Sequence, residues 1–493
     1  MLYSIYITNI IMSSFTLDTP GGHIVSAGSN EQTHSTGLFI FHRDLRSVDN
    51  IGLLYAQSKC SRLYTCFIFT PEQVSSENKY RSLHSVAFML ECLDELSKTI
   101  RAQGGKLLFF YGDSTEVLQS FIREAKIDCV FSNRDYTPYA VQRDKKIERL
   151  CQTEGIGCEF SADYYLVEPK ADGAYRKYTP FYEAMQASAY AVSRPSKVRL
   201  TKLAEPIITK KISGKMVTLS FIENKMGIVS EGRIVEGGRK SGVGCLKKAL
   251  REQTKYGEMR DELSYSTSHL SAHLKFGTVS IRETYWAFAD VYGKKCRFIA
   301  ELYWRDFFAH ILYAYPETLK GKYGEKMVWT DSVGWLNRWK SGKTGFPVVD
   351  AGMRELNQTG YMHNRSRMVV ASFLVKTLGI NWRLGERYFA EKLTDYDVAS
   401  NNGNWQNISS TGMYNQPYFR DMNPWIQSAK FDKNCEYIKK WVPELKEVEP
   451  RVIHKWHMHC KDPVYKNIYV EPIVDYFLQK NIVLARYKKG FTG

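Results

Sequence analysis

A change in hydrophobic period divides this chain in two and limits the folds it can adopt more than any other feature. Between residues 37 and 168, short β-rich apolar runs alternate with helical stretches, which predicts an α/β domain with a parallel sheet. No GxGxxG motif follows the first strand, and this weighs against a dinucleotide-binding site here. The predicted strands cover residues 38–41, 63–69, 106–111, 129–132 and a segment around 158–167, and helices are predicted over 85–103 and 115–125.

From residue 243 to residue 484 a helical period dominates, so we expect a second domain that is nearly all helix. A chain of 493 residues exceeds what one hydrophobic core normally serves, which also favours two domains. Residues 169–242 carry prolines and basic, glycine-rich pieces, and we interpret them as an interdomain linker that is mostly loop. We predict that residues 1–36 form a disordered tail. The predicted architecture is a Rossmann-like parallel-sheet domain followed by an all-α domain.

The formal charge of +16 indicates a polyanionic partner, with nucleic acid favoured over acidic membrane lipid. No apolar run approaches the roughly eighteen residues that a membrane-spanning helix needs, so we expect no span. The first basic residue is Arg43, so the apolar N-terminus does not resemble a secretory signal.

Ten cysteines occur without any CxxC pair. That usage predicts a reducing intracellular compartment and excludes the spacings of iron–sulfur and zinc-ribbon sites. The histidines between His454 and Cys460 are too crowded for a standard metal pattern, so we predict an ordinary surface segment there and no metal site.

Residues 360–407 hold an unusual density of polar groups beside apolar ones. Buried polar groups need partners, so this density indicates a polar ligand. The residues concerned are Asn364, Arg365, Arg367, Asp395, Asp397, Asn401 and Asn402, together with Trp382 and Trp405. A second cluster, the hydroxyls of Thr267, Ser268 and Ser271 before a predicted helix, suits a pyrophosphate.

Two further patterns point to bases and phosphates. Glu301, Trp304 and Arg305 are spaced to share a helix face, which would combine an acid, a stacking ring and a guanidinium. Asn364 and Met368 share a face by the same spacing. Ser341 to Thr344 resembles the end of a phosphate loop but lacks its first glycine, so a nucleotide triphosphatase is not expected.

Several long motifs then identify a family. The chain contains TSHLSAHL, ELYWRDFF, KTGFPVVDAGMRELNQTGYMHNRSRM, NWRLGERYF and DYDVASNNGNWQ. These closely resemble the photolyase and cryptochrome flavoproteins, in particular the class I cyclobutane pyrimidine dimer photolyases. The resemblance covers nearly everything from Gly37 onward and is strongest over residues 256–445.

The resemblance implies an FAD bound in the helical domain. It implies that Arg367 and Asp395 pair beside the flavin ring, with Tyr396 and Asp397 nearby, and that Asn401 faces the ring nitrogen that is protonated on reduction. The residues implied to hold the phosphates are Tyr256, Thr267, Ser268, His269, Leu270 and Ser271. The implied electron-transfer chain runs from Trp405 through Trp382 to Trp335.

The implied substrate is UV-damaged DNA whose lesion is flipped towards the flavin. Glu301 would hydrogen-bond the dimer, Trp304 and Met368 would line the pocket and Asn364 would contact the lesion. Arg260, Arg305 and Arg365 would hold flanking phosphates, and Asn407 and Gln427 belong to the same implied site. Asn364 with Met368 is the dimer-photolyase pattern rather than that of photolyases for 6-4 photoproducts.

One position departs from the family pattern, since Asn407 stands where class I members carry a second aromatic that stacks on the dimer. That departure keeps a cryptochrome-like blue-light photoreceptor as the alternative, ahead of a DNA-binding module without chemistry. Ala140 replaces an acid that contacts folate in relatives, so a folate antenna is not expected, and a deazaflavin, a second flavin or no antenna stay open. We expect a monomer with no obligate protein partner, in the nucleus or cytoplasm.

Overall fold

The computed structural model describes residues 34–187, 192–228, 232–320, 327–412 and 419–492. The predicted α/β domain is present, and its five strands are all parallel in the order β3-β2-β1-β4-β5. Residues 34–36, predicted as tail, belong to the first strand, and the rest of the predicted tail lies outside the described residues. The strands are β1 (His34–Phe41), β2 (Cys60–Phe69), β3 (Leu107–Tyr111), β4 (Cys129–Asn133) and β5 (Gly157–Ser161).

Helices cover both faces of this sheet, which is why its strands read as apolar runs. Along β1, Phe39 and Phe41 pack into one layer, while Leu38 and Ile40 pack into the other. The helices are α1 (Ile51–Lys59), α2 (Pro71–Val74), α3 (Leu83–Ala102), α4 (Ser114–Ala125) and α5 (Pro138–Glu154). The helices predicted over 85–103 and 115–125 correspond to α3 and α4.

The strand order reverses between β1 and β4, and the residues after these strands meet there. In parallel α/β sheets, ligands bind outside the carboxyl ends of the strands at such a point. His42 and Arg43 follow β1, Asp135 follows β4, and all three line a cavity of about 300 Å³. The helical domain closes the cavity with Lys275 and Tyr396, among other residues.

The segment predicted as linker is packed rather than loose. Leu203 and Ile222 join the apolar layer against α3, and Ile212 joins the layer against α4. The prediction that residues 208–215 and 237–242 are loop is wrong in part, because one helix forms over Lys210–Ser213 and another begins at Arg239. The apolar residues that pack on the sheet domain are irregularly spaced in the sequence. They therefore show no helical periodicity from which these helices could be predicted. The helices in this segment are α6 (Tyr178–Ala187), α7 (Lys210–Ser213) and α8 (Leu219–Met226).

The second domain is helical, as predicted. Its largest apolar core includes the fully buried Trp339 and Trp382. A single π-helical turn covers Phe373–Thr377, and 3-10 turns cover Pro316–Lys320 and Pro443–Leu445. The helices are α9 (Arg239–Glu252), α10 (Tyr256–Met259), α11 (Ser271–Lys275), α12 (Ile281–Tyr292), α13 (Arg297–Ala314), α14 (Val333–Lys340), α15 (Pro347–Thr359), α16 (Asn364–Ser372), α17 (Trp382–Lys392), α18 (Val398–Ser409), α19 (Pro424–Phe431), α20 (Glu436–Trp441), α21 (Pro450–Ile453), α22 (Trp456–His459) and α23 (Tyr476–Thr492).

A buried network of charges joins the two domains. Asp163, after β5, binds Arg46 of the sheet domain at 2.6 Å and Arg282 of α12 at 2.7 Å. Arg282 also binds Asp49 at 3.0 Å, and all four side chains are at most 8% exposed. Buried charges are tolerated only when they are paired this well. The network therefore fixes α12 against the carboxyl edge of the sheet.

The prediction for the histidine-rich segment near the end of the chain has a clear outcome. The stretch from His454 to Cys460 is not an ordinary surface segment, because Trp456 is fully buried and donates from Nε1 to the Val470 carbonyl at 2.9 Å. All ten cysteines lie within the described ranges, and none of them forms a disulfide there. Within the described ranges, no helix combines the length and apolar character needed to cross a bilayer.

Candidate functional site

A bidentate ion pair stands at the centre of the polar segment 360–407. Arg367 on α16 donates from Nη1 and Nη2 to the two carboxylate oxygens of Asp395, at 3.2 and 2.9 Å. Its Nε donates to the Met362 carbonyl at 2.8 Å, which fixes the guanidinium plane. Burial alone would raise the pKa of Asp395, but the charge and hydrogen bonds of Arg367 lower it below its usual value. The pair therefore stays ionised.

Next to this pair, Asn401 is held in one orientation. Its Nδ2 donates both to the backbone carbonyl of Glu386 at 3.1 Å and to Glu386 Oε1 at 3.0 Å. These bonds occupy the amide nitrogen and leave Oδ1 for a ligand. Glu386 is 2% exposed, and burial raises its pKa to about 7 against the opposing hydrogen bonds from Asn401 and Tyr80.

The hydroxyl-rich segment before α11 lies beside the same pair. Thr267 Oγ1 and the Tyr361 hydroxyl are 2.8 Å apart, and Ser271 hydrogen-bonds Asp395. Leu270 is buried, and Ser268 is half-buried. Helix α11 has only five residues, so its N-terminus is a short donor group rather than a full helix dipole. Tyr256, the other predicted phosphate ligand, stacks on Phe298 at 3.9 Å.

Orphaned polar atoms in this region fit a bound ligand. Within the described residues, His269 Nδ1, His363 Nε2 and Gln427 Oε1 are buried without hydrogen-bond partners. His269 also has a φ of 53°, a backbone conformation uncommon for residues other than glycine. Unpaired buried groups of this kind are rare in native proteins and indicate that a ligand supplies the partners. A cofactor with phosphate, hydroxyl and ring heteroatoms would supply such partners.

Asp397 and Arg305 turn towards the sheet domain instead of sharing that region. Asp397 caps α18 through Ser400 N at 3.0 Å and accepts from Arg43 Nη1 at 3.1 Å. Arg305 donates to the Tyr164 carbonyl at 2.5 Å and lies over the Tyr165 ring. The predicted shared face of Glu301, Trp304 and Arg305 is therefore divided, because the interdomain contact draws Arg305 away. Tyr396 lines the 300 Å³ cavity at the domain boundary.

The three predicted relay tryptophans all contact one apolar core. Trp405 and Trp382 are at most 3% exposed, and Trp335 is a partly buried residue packed against the same cluster. The Trp405 ring lies directly against Gly385, one helical turn after Trp382, where an added Cβ would overlap the ring. Trp339 approaches Trp405 edge-on, with ring centroids 6.3 Å apart. The core thus brings Trp405 beside the helix that begins at Trp382.

Glu301 on α13 sits between two arginines. Its Oε1 accepts from Arg260 Nη1 at 3.2 Å and forms an ion pair with Arg297, whose Nε lies 3.0 Å away. The Glu301 side chain is 34% exposed. Burial raises its pKa, and the charges of Arg297 and Arg260 oppose that rise. The result is a reachable carboxylate whose charge is balanced by its neighbours.

One turn along α13, Trp304 lies beside this cluster. The Tyr178 ring stacks on it with centroids 3.6 Å apart and planes 6° from parallel. The Tyr178 hydroxyl donates to the Ala300 carbonyl at 2.7 Å, which holds the stack in place. Tyr178 comes from the segment predicted as linker, so that segment helps to shape the site.

Helix α16 presents the remaining predicted lesion contacts. Asn364 is exposed, and its Nδ2 lies 3.9 Å from Met368 Sδ, so the two share a face as predicted. Arg365 pairs with Asp261 at 2.5 Å and lies over the Phe431 ring. Asn407 is half-buried on the last turn of α18, and Gln427 lies on α19.

Sequence reasoning missed four residues that complete the site. Glu386 orients Asn401, Arg297 shares Glu301, Tyr178 stacks on Trp304 and Arg43 anchors Asp397. Only Glu386 and Arg297 could have been found from the sequence. Glu386 lies within the motif NWRLGERYF, and Arg297 lies four residues before Glu301, the spacing of a contact along one helix. Arg43 lies 354 positions from Asp397, so no spacing rule could join them.

Comparison with known proteins assigns both halves of the chain. A family described as the FAD-binding domain of DNA photolyase matches residues 298–489, and one described as DNA photolyase matches residues 38–200. The deoxyribodipyrimidine photo-lyase of Synechococcus sp. is 32% identical over 472 residues, which cover 92% of this chain and 96% of that protein.

Solved structures agree with this assignment. An archaeal photolyase from Sulfolobus tokodaii with two FAD molecules is 39% identical, with a TM-score of 0.82 over 92% of this chain and all of the archaeal chain. A bacterial class III photolyase from Agrobacterium tumefaciens is 31% identical, with a TM-score of 0.84 over 95% of this chain and all of that chain.

Proposed function

Because this chain belongs to the photolyase and cryptochrome family and has its FAD-binding domain, we propose that it splits cyclobutane pyrimidine dimers in DNA under blue light. The observation that carries the proposal is Glu301, a reachable carboxylate held by Arg260 and Arg297 beside the Trp304 stack. A bound, reduced FAD, held by Arg367, Asp395 and Asn401, would supply the photoexcited electron for opening the dimer and would regain it afterwards. No net oxidation or reduction of DNA follows.

The protein's own part in this reaction is binding, orientation and electrostatics. Trp304 and Met368 offer apolar surface to an extruded lesion, and Asn364 offers an amide. Glu301 offers hydrogen-bond contact to the dimer, and Arg260 and Arg297 beside it balance charge that develops there. Arg365 and Arg260 also suit the flanking phosphates, whereas Arg305 does not, because the domain boundary already occupies it.

On the cofactor side, the proposed contacts follow the geometry of the polar segment. The ion pair of Arg367 and Asp395 would lie beside the ring, and Asn401 would offer it Oδ1, because Glu386 occupies Nδ2. Thr267, Ser268 and His269 would hold the phosphates. Trp405, Trp382 and Trp335 would carry electrons from the surface to the ring.

The direct test is illumination of two oligonucleotides, one with a cyclobutane dimer and one with a 6-4 photoproduct. We expect light-dependent repair of the first and none of the second, followed by chromatography of the products. An undamaged oligonucleotide and a dark sample are the controls. Repair of neither lesion by flavin-loaded protein would reject the proposal and favour the photoreceptor, the alternative that Asn407 raises.

We also propose that the 300 Å³ cavity holds an antenna chromophore with anionic groups. Aromatic residues Tyr139, Phe276 and Tyr396 and cationic residues Arg43 and Lys275 line it, which suits a flat ring with phosphates. His42 Nε2, also in the lining, is buried without a partner in the described part of the chain. The Sulfolobus tokodaii relative, described with two FAD molecules, makes a second flavin the favoured ligand.

The antenna proposal is tested by the stoichiometry of extracted flavin. Wild-type protein reconstituted with FAD should retain two flavins per chain, and Phe276→Asp should retain one, because a carboxylate in the cavity repels phosphate. Met458→Asp, at a 64% exposed position, is the matched control. One flavin per wild-type chain would reject a second flavin as the antenna.

A further inference from the structure

At the amino edge of the sheet, opposite the cavity, three potential metal ligands converge from three strands. His34 begins β1, Cys129 begins β4 and Glu159 lies within β5. A ring nitrogen, a thiol sulfur and a carboxylate oxygen from these residues all lie within 4.8 Å of one another. They are brought together by sheet register, not by proximity in the sequence.

Glycines on both sides of Cys129 keep this spot open. In the register, Cys129 is flanked by Gly37 of β1 and Gly157 of β5. A Cβ at Gly157 would lie 2.7 Å from Cys129 Sγ and 3.5 Å from His34 Cε1, and one at Gly37 would meet the Cys60 thiol. A larger residue at position 157 would enter the space beside Cys129 and His34, and one at position 37 would displace Cys60.

The charges around the spot favour a cation. The carboxylates of Asp128 and Glu159 lie near the Cys60 thiol, and a Glu159 oxygen also lies within 4.8 Å of the Cys129 sulfur. A divalent cation would offset this negative charge and bind the Cys129 sulfur as a thiolate.

Access and support are also present. Cys129 is fully buried, while His34 and Glu159 are partly exposed, so an ion can enter from solvent. The Tyr55 hydroxyl hydrogen-bonds the Glu159 carboxylate and helps to hold it in one orientation. Hydrogen-bonded ligands of this kind are usual in metal sites because they fix ligand orientation.

We propose that His34, Cys129 and Glu159 form a zinc site that ties β5, an edge strand, to the start of β1. Nitrogen, sulfur and carboxylate oxygen together suit Zn²⁺ better than Mg²⁺ or Ca²⁺. Bond lengths of about 2.3 Å to sulfur and about 2.0–2.2 Å to nitrogen and oxygen place ligands roughly 3.3–3.6 Å apart. The three atoms, which lie within 4.8 Å of one another, must therefore approach by up to about 1.5 Å, with solvent as the fourth ligand. The sequence predicted no metal site because these ligands are far apart in the chain.

The test is zinc binding by the full-length, flavin-loaded protein in the dark. After EDTA treatment and dialysis into reducing buffer, calorimetric titration with Zn²⁺ should show one tight site and a higher Tm. His34→Ala and Glu159→Gln should each weaken binding about tenfold or more and remove the Tm increase, since each deletes one ligand. His34 is half-exposed, so its removal should leave the fold intact, as Tm without zinc will show.

The matched control is the double variant His457→Ala/His459→Ala, which removes two imidazoles from the histidine-rich segment at residues 454–460. It should bind Zn²⁺ as tightly as the wild type. The proposal is overturned if the wild type takes up no zinc at micromolar concentration. It is equally overturned if His34→Ala and Glu159→Gln bind Zn²⁺ as tightly as the wild type.

Discussion

At the scale of single residues, Glu301 carries the proposed chemistry, and its surroundings separate catalysis from binding. Glu301→Ala removes the carboxylate but leaves Arg260 and Arg297 unpaired near the DNA. We expect repair yield per bound dimer to fall about tenfold or more, since removing one group that stabilises developing charge costs roughly 10²-fold in thermal enzymes. DNA affinity should stay the same or rise, because two free guanidinium groups attract phosphate.

Single-turnover repair and a binding titration on the same dimer oligonucleotide measure the two effects separately. Glu258→Ala, at an exposed position of α10, is the control and should change neither. Equal losses of repair and binding in Glu301→Ala would show that the carboxylate is a structural or binding group only.

Asn407 is the position where the family resemblance implies a stacking aromatic, and introducing one tests the consequence. Asn407→Trp should tighten binding of dimer-containing DNA about 5- to 150-fold, because stacking on a base is worth roughly 1–3 kcal/mol. Undamaged DNA should bind as before. Asn404→Trp, at an exposed position of the same helix, controls for a nonspecific aromatic effect. Equal gains for damaged and undamaged DNA would contradict a lesion contact at residue 407.

Between helices α17 and α18, the contact of Glu386 with Asn401 should give a pH-dependent stability. Burial raises the Glu386 pKa to about 7, against hydrogen bonds from Asn401 and Tyr80. The folded protein thus favours the neutral acid, whose stabilising effect is complete below the unfolded pKa of about 4.3 and is lost as pH rises through about 7. Glu386→Gln abolishes this titration, so its stability relative to the parent should increase from about pH 5 to about pH 8, by at most ~3 kcal/mol.

Denaturant unfolding of parent and variant across that pH range measures the difference. Glu391→Gln, on the same helix and paired with Arg387 at a third or more exposure, should show a difference that is nearly independent of pH. A constant difference between Glu386→Gln and the parent would mean that Glu386 does not titrate in this range.

The charge network between the sheet and α12 should be the strongest polar contribution to domain docking. Asp163→Ala leaves Arg46 and Arg282 buried without their shared partner. Breaking a buried pair from one side typically costs about 3–5 kcal/mol, and we expect a loss of that order in the free energy of unfolding. Asp290→Ala breaks the exposed pair with Arg194 and should cost about 0–1 kcal/mol. Similar losses for the two variants would show that the buried network is not needed for docking.

For the whole molecule, the sequence predicted what repeats regularly and missed what depends on contacts between distant segments. The strands were predictable because apolar runs of the right length alternate with helices, and the Arg367 and Asp395 pair followed from the family motifs. Leu203, Ile212 and Ile222 lie among prolines, glycines and lysines, so their docking on the sheet left no periodic signal. Helical spacing placed Glu301, Trp304 and Arg305 on one face, but the partner of each side chain was set by the tertiary fold.

That docking predicts where the chain can be divided. A fragment of residues 34–168 lacks Leu203, Ile212 and Ile222, whose burial contributes roughly 1.5–3 kcal/mol each, and it should not unfold cooperatively. A fragment of residues 34–228 restores these contacts and should show a thermal transition by circular dichroism, below that of the full chain because Arg282 is absent. Ile222→Asp in the longer fragment should abolish the transition, whereas Phe221→Asp, at a 45% exposed neighbour, should keep it. If the short fragment melts as cooperatively as the long one, the sheet domain is stable without the segment after residue 168. The helices of that segment would then contribute nothing to its stability, as expected of a linker.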